Sequence, residues 1–179
     1  YLGKTLDGLK RQTLPKDQWE LLLIDNLSDM PLERACGLGW HPLGRIYREE
    51  ALGLTQARLA GIAESRAGLL VFVDDDNLLK EDYLERALEL SGAWPILGAW
   101  SGRVVPRYEV QPAPELIPHL WRICIREVTE DVWGNEGSFA STPWGAGMCV
   151  RKNVAEHYAS ETRKSDLKAM LGRRGQNLA

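Results

Sequence analysis

The chain has 179 residues, of which 44% are hydrophobic and 26% charged, and a net charge of −3. That is enough chain for one domain with its own core, with no basic surplus to hold a nucleic acid and no apolar run near the roughly 18 residues a membrane-crossing helix needs. The three cysteines, Cys36, Cys124 and Cys149, are scattered and odd in number, which excludes a disulfide scaffold and predicts reduced thiols in a cytoplasmic protein.

Leu2, Leu6 and Leu9 recur at helical spacing, so Tyr1 to about Gln12 reads as a helix that Pro15 stops. Trp19 to Ile24 reads as a strand running into the polar group Asp25-Asn26-Leu27-Ser28-Asp29. Several Gly and Pro make Pro31 to Gly44 a loop with room for one short helix, and Gly44 to Arg48 a short strand. Leu54 to Ser65 is a predicted helix with Leu59, Ile62 and Ala63 on one face and Gly68 near its stop. Lys80 to Leu90 is a second, striped by Leu84 and Leu88, and Ile96 to Val105 a strand interrupted by Gly98 and Gly102.

After Pro106 the periodicity dissolves under Pro112, Pro114 and Pro118. Gly145 to Arg151 reads as a further strand, and Asn153 to about Ser160 as a helix with Asn153 as N-cap. Helices alternating with strands argue for an α/β layer fold with a mostly parallel sheet. His41, His119 and His157 have no ligand spacing and read as structural or surface residues. The chain opens on Tyr1 within a helical pattern and stops at Ala179 without a closing element, so further pieces are expected at both ends.

One stretch stands apart: Leu69-Leu70-Val71-Phe72-Val73 followed by Asp74-Asp75-Asp76-Asn77. The apolar run predicts a strand buried on both faces. Three adjacent carboxylates cannot all stay ionised in a dry interior, so they belong at the open end of the strand, beside water or a cation. Carboxylate oxygens are preferred ligands of hard divalent metals. If the strand conformation persists, Asp74 and Asp76 point one way and Asp75 the other. Open α/β sheets bind ligands at the carboxyl ends of their strands.

Collinear motifs turn this into a resemblance. Tyr1-Leu2, Thr5-Leu6, Leu9, Gln12-Thr13 and Pro15; Leu22-Leu23-Ile24-Asp25-Asn26 with Ser28-Asp29; Gly53-Leu54-Thr55-Gln56-Ala57-Arg58 with Gly61-Ile62; Val71 to Asn77; and Pro143-Trp144-Gly145-Ala146-Gly147-Met148-Cys149-Val150-Arg151 follow one another as in a family 2 glycosyltransferase. Each motif alone is weak, and their shared order carries the signal. The resemblance implies a GT-A fold, a Rossmann-like three-layer α/β/α domain with a mostly parallel central sheet. It implies inverting transfer of a sugar from a nucleotide diphosphate sugar, a UDP-sugar foremost, to a glycan or other hydroxyl acceptor. By that resemblance Asp76 binds Mn²⁺ or Mg²⁺, with Asp74 nearby or acting through water, and Asp75 bonds the ribose. Asp25 and Asn26 lie near the base, Arg58 near the base or phosphates, and Trp144, Gly145 and Trp133 on the sugar and acceptor side.

The chain departs from the pattern in three places. The family's opening strand does not precede Tyr1, so residues 1–179 are expected to form a single domain without that strand. Many members carry Asp where Asn26 stands, which leaves the nucleotide less fixed. The general base, a carboxylate that deprotonates the acceptor hydroxyl, follows a segment like Leu171-Gly172-Arg173-Arg174-Gly175 in the family and is expected past Ala179 rather than at Glu136 or Glu161. Blander roles stand beside the sharp ones: Asp25 as a turn cap, Arg58, Arg173 and Arg174 as surface charges, Trp133, Trp144 and the Gly145/Gly147 pair as packing. A non-catalytic nucleotide-sugar-binding domain and a nucleotidyltransferase stay open as alternatives, as does a place at the cytoplasmic face of a membrane.

Overall fold

The computed structural model describes residues 1–123, 125, 128–138, 140–164, 173–174 and 177–178. Helix α1, Leu2–Lys10, buries Thr5, Leu6, Gly8 and Leu9 along one face. Strand β1, Leu21–Asp25, lies parallel to β2, Gly44–Arg48, from Leu21 opposite Gly44 to Asp25 opposite Arg48. The one-turn helix α2, Leu32–Ala35, falls in the Gly- and Pro-rich stretch between them. Then come α3 (Leu54–Glu64), β3 (Leu69–Phe72), α4 (Tyr83–Ala93), β4 (Ala99–Trp100), a 3₁₀ helix (Pro114–Ile123), β5 (Met148–Arg151) and α5 (Lys152–Lys164). Two short strands, β6 (Arg173–Arg174) and β7 (Asn177–Leu178), pair antiparallel.

The layers follow from strand alternation. Leu21 and Leu23 pack with Leu6 and Leu9 of α1, whereas Ile24 reaches Gly61 of α3 from the other face, at 3.8 Å from a Cβ built there. Strand β1 therefore has a helix on each side, as an α/β/α sandwich requires. The second sheet has the order β3-β5-β4, with β5 antiparallel to both neighbours, so β3 and β4 share a direction. Leu70 and Val150 from this sheet meet Leu59, Ile62, Ala155 and Ala159 of α3 and α5 in one core cluster. Cys36 and Cys149 are free thiols, in line with the reduced state expected of them. Among the described residues no helix is long and apolar enough to cross a membrane.

Several predicted elements shift, each for a visible reason. The strand expected over Ile96 to Val105 shrinks to Ala99–Trp100 because side chains take its backbone groups: Arg151 Nε donates to Leu97 O (2.7 Å) and Gly102 N–H donates to the Tyr83 hydroxyl (3.3 Å). The strand expected from Gly145 begins only at Met148, because Gly147 has φ +72°, a left-handed turn conformation that no strand holds. Helix α4 starts at Tyr83 rather than Lys80, since Gln12 from the α1 side accepts the Leu84 N–H (3.0 Å) and donates to Lys80 O (2.7 Å).

Asn153 lies inside the first turn of α5 and does not cap it. Lys152 anchors that end, with its N–H on Gly68 O (2.9 Å) and its ammonium on Ile62 O and Ser65 O. Strand β3 is not sealed on both faces: Leu70 is buried, while Leu69, Val71 and Phe72 are half-buried. Ala63 is exposed, as is Leu88, and Ala60 and Ala87 take the buried positions instead. Cys124 lies outside the described residues, as do Leu171, Gly172 and Gly175 of the segment preceding the expected base.

Candidate functional site

Strand β3 stops at Phe72, so strand alternation does not extend into the carboxylates. They form a turn instead. Asn77 N–H donates to Asp74 O (3.0 Å), Asn77 Oδ1 accepts the Asp74 N–H (3.3 Å), and Asn77 Nδ2 donates to Asp76 Oδ1 (2.9 Å). Thr5 of α1 ties the turn from below by donating its hydroxyl to Asp75 O (2.8 Å). Asp75 and Asp76 are exposed, and Asp74 is half-buried.

The Arg58 guanidinium, carried by α3, lies 3.7 Å from the Asp74 carboxylate and over the Phe72 ring at 6.0 Å. Burial raises the Asp74 carboxyl above its ordinary value; Arg58 opposes this, and the charges of Asp76 and Asp75 reinforce it, with a net rise. Gly145 closes the other side of Arg58, for a Cβ there would stand 2.8 Å from Nη2. Arg58, Asp74 and Gly145, which lie far apart in the chain, thus meet at one point. Trp144 beside them is half-buried, and its N–H donates to Ser101 Oγ (3.1 Å). Trp133 is 73% exposed in the segment before β5.

Asp25 and Asn26 occupy the end of β1. Asp25 is fully buried and both its oxygens are engaged: Oδ1 accepts Ser28 N–H (2.9 Å), and Oδ2 accepts Leu32 N–H (3.3 Å) and Arg48 Nη1 (2.7 Å). Burial pushes its carboxyl upward, but the Ser28 and Leu32 amides and the Arg48 charge outweigh that and leave it below the ordinary value. Asn26 donates to Glu49 O (3.3 Å) and Ala51 O (2.7 Å) and accepts Gly53 N–H (2.7 Å). Since Gly53 is the residue before α3, Asn26 fixes the start of the helix that carries Arg58.

Among the described residues no three His, Cys, Asp or Glu side chains gather into a metal-ligand set. The carboxylates of the turn can supply only part of a cation's shell, and oxygens of a bound phosphate would have to supply the rest. A shallow cavity of about 400 Å³, lined by Ile62, Ala63, Glu156, Ala159, Ser160, Arg163 and Lys164, shares no residue with this turn. Its size therefore does not override the charge pattern.

Sequence reasoning missed two side chains here. One is Thr5. The other is Tyr83, whose hydroxyl donates to Gly147 O (2.5 Å) and accepts Gly102 N–H (3.3 Å). The only sequence trace of Tyr83's role is the pair of glycines that make room for its ring.

Comparison with known proteins adds a family and a fold. The model of the family described as Glycosyl transferase family 2 matches residues 1–151. Glycosyltransferase AglE of Haloferax volcanii is 31% identical over 90 residues, which are 49% of this chain and 30% of that protein. The structure of S. aureus TarS residues 1–349 superposes with a TM-score of 0.52 at 20% identity, covering 60% of this chain and 34% of TarS. TarS in complex with UDP-GlcNAc gives a TM-score of 0.50 at 19% identity, covering 60% of this chain and 33% of TarS. The likeness to TarS shows the GT-A fold. The chain spans about a third of each relative's length.

Proposed function

The chain belongs to glycosyl transferase family 2, and on that premise we propose that it binds a nucleotide diphosphate sugar and serves transfer of the sugar, with inversion, to a hydroxyl acceptor. The observation that carries this reading is the meeting of Arg58 and Asp74 at 3.7 Å on a turn of three carboxylates at the end of β3. A cation beside a guanidinium suits a diphosphate, which needs positive charge both to bind and to leave.

Asp76 and Asp74 would hold a Mn²⁺ or Mg²⁺ ion, whose role is to neutralise charge developing on the departing diphosphate. Asp75 is assigned to the ribose and Arg58 to the phosphates. Asp25 and Asn26 act on the base side through the turn they build, since their own polar atoms already hold Ser28, Leu32, Arg48 and Gly53. Trp144, Gly145 and Trp133 are assigned to the sugar and acceptor side. TarS has been crystallised with UDP and with UDP-GlcNAc, which supports a UDP-sugar as the first donor to try.

Calorimetry with UDP, GDP and CMP in the presence of Mn²⁺ tests the reading. UDP is expected to bind, and Asp76→Ala is expected to abolish the Mn²⁺-dependent part of that affinity while circular dichroism stays unchanged. Absence of binding by all three nucleotides overturns the proposal; full Mn²⁺ dependence in Asp76→Ala overturns the metal assignment.

A further inference from the structure

We propose that Tyr83 is a positioning residue for the donor site: its hydroxyl pins the turn 145–147, and that turn sets where the Arg58 guanidinium stands. The inference rests on the reading of Arg58 and Asp74 as the donor site and adds to it a residue that never touches the donor.

The contacts form a continuous chain. The Tyr83 hydroxyl donates to Gly147 O at 2.5 Å and accepts the Gly102 N–H at 3.3 Å, so one side chain clamps the exit of β4 to the entry of β5. Its ring uses space that only glycine leaves. A Cβ on Gly147 would lie 2.8 Å from the hydroxyl oxygen, and one on Gly102 3.3 Å from Cε2. Gly147 also needs its φ of +72° for the turn itself. Cys149, fully buried, directs its thiol to the same Gly147 carbonyl at 3.6 Å.

Met148 N–H closes the turn onto Gly145 O at 3.3 Å. Gly145 in turn abuts Arg58 Nη2, and Arg58 faces Asp74 at 3.7 Å. Burial holds the Tyr83 hydroxyl well above its ordinary pKa, so it stays a donor at every working pH and the clamp does not titrate away. A backbone turn fixed by a neutral donor is a rigid wall for a flexible charged side chain, which is how supporting contacts preorganise a binding group.

Tyr83→Phe keeps the ring and removes the clamp. Its expected effect is a three- to tenfold weaker affinity for UDP with Mn²⁺, about what one hydrogen bond contributes. Gly145→Ala displaces the same guanidinium from the other side. If both act through Arg58, the double variant binds UDP no more weakly than the weaker single variant. A purely structural hydroxyl would lower the melting temperature, leave affinity alone and combine independently with Gly145→Ala. Unchanged UDP affinity in Tyr83→Phe, or losses that multiply in the double variant, overturns the proposal. Should Tyr83→Phe not fold, Gly102→Ala presses on the ring without removing the hydroxyl and is expected to weaken UDP binding in the same non-multiplying way. Wild-type protein that binds no nucleotide overturns the donor-site reading itself, a result separable from failure of the Tyr83 variants alone.

Discussion

The Arg58 guanidinium and the Asp74 carboxylate stand 3.7 Å apart, one from the helix before β3 and the other from the turn after it. The pair is loose and partly solvated, with 30% and 43% of the two side chains exposed. It adds little to stability. Its consequence lies in the charge state of Asp74, which burial, Asp76 and Asp75 push above the ordinary 3.8 and Arg58 alone pulls down.

On the proposed donor-site reading, removing Arg58 is expected to shift the acid limb of nucleotide binding. If Asp74 serves the proposed cation it must be ionised, and its carboxyl is already raised above the ordinary value, so affinity for UDP with Mn²⁺ is expected to fall as the solution becomes acidic. In Arg58→Gln this limb moves to higher pH, and affinity near neutrality falls about tenfold or more, as expected for a charged hydrogen bond. Arg58→Lys keeps the limb near its wild-type position but loses affinity, because a point charge replaces the fork. Titrations of affinity between about pH 4 and pH 8 check both. An unmoved limb in Arg58→Gln rules out the coupling. Conversely, Asp74→Asn is expected to raise the melting temperature at neutral pH, since it removes a carboxylate whose charged form the fold disfavours.

Asp25 behaves in the opposite sense. Its carboxyl is held below the ordinary 3.8, so its ionised form stabilises the fold above that value, and the contribution is lost as pH falls through the lowered one. Asp25→Ala leaves the Ser28 and Leu32 amides and Arg48 without their acceptor, an expected loss of about 2–4 kcal/mol. Urea unfolding at neutral pH measures it. The difference from wild type shrinks in strong acid, and a constant difference across pH contradicts the linkage.

These two aspartates show what was legible in the chain. The polar groups ending β1 and β3 mark strand ends because a charge follows an apolar run only where water or polar partners meet it, and that signal is local. The division of labour among them is not local. The resemblance puts Asp25 near the base, and nothing local in the chain says that its oxygens go to residues 3, 7 and 23 positions away. Tyr83 was invisible for the same reason: its partners Gly102 and Gly147 lie 19 and 64 positions away. Strand length failed to read out where side chains divert backbone donors and acceptors, as Tyr83 and Arg151 do around β4.

His41 is expected to make the fold acid-sensitive. It is 3% exposed, edge-on to the rings of Trp19 at 4.1 Å and Trp40 at 5.4 Å. Its Nδ1 accepts the Leu43 N–H (3.2 Å), while Nε2 has no hydrogen-bond partner among the described residues. Burial, then the Lys16 charge, lower its pKa below the ordinary 6.5. The folded state thus prefers neutral His41, and stability falls as pH drops below 6.5 toward the lowered value. The slope of unfolding free energy against pH in this window is expected to flatten in His41→Gln. The same slope in that variant would assign the acid sensitivity elsewhere.

Leu27 offers the cleanest test of backbone strain beside the site. It has φ 58°, the single non-glycine with positive φ among the described residues, and the residue is 36% exposed. A branched side chain in the left-handed region is unfavourable by about 1–2 kcal/mol, whereas asparagine tolerates it. The conformation persists because Asp25 binds the amide of Ser28, the next residue, and Asn26 is tied to Glu49, Ala51 and Gly53. Leu27→Asn is therefore expected to stabilise the fold by about 0.5–1 kcal/mol, which thermal unfolding resolves. If the turn 26–28 also shapes the base side of the donor site, UDP affinity stays within about twofold, because the backbone is already held in place. A destabilised variant would mean that the Leu27 side chain contributes more by packing than its conformation loses.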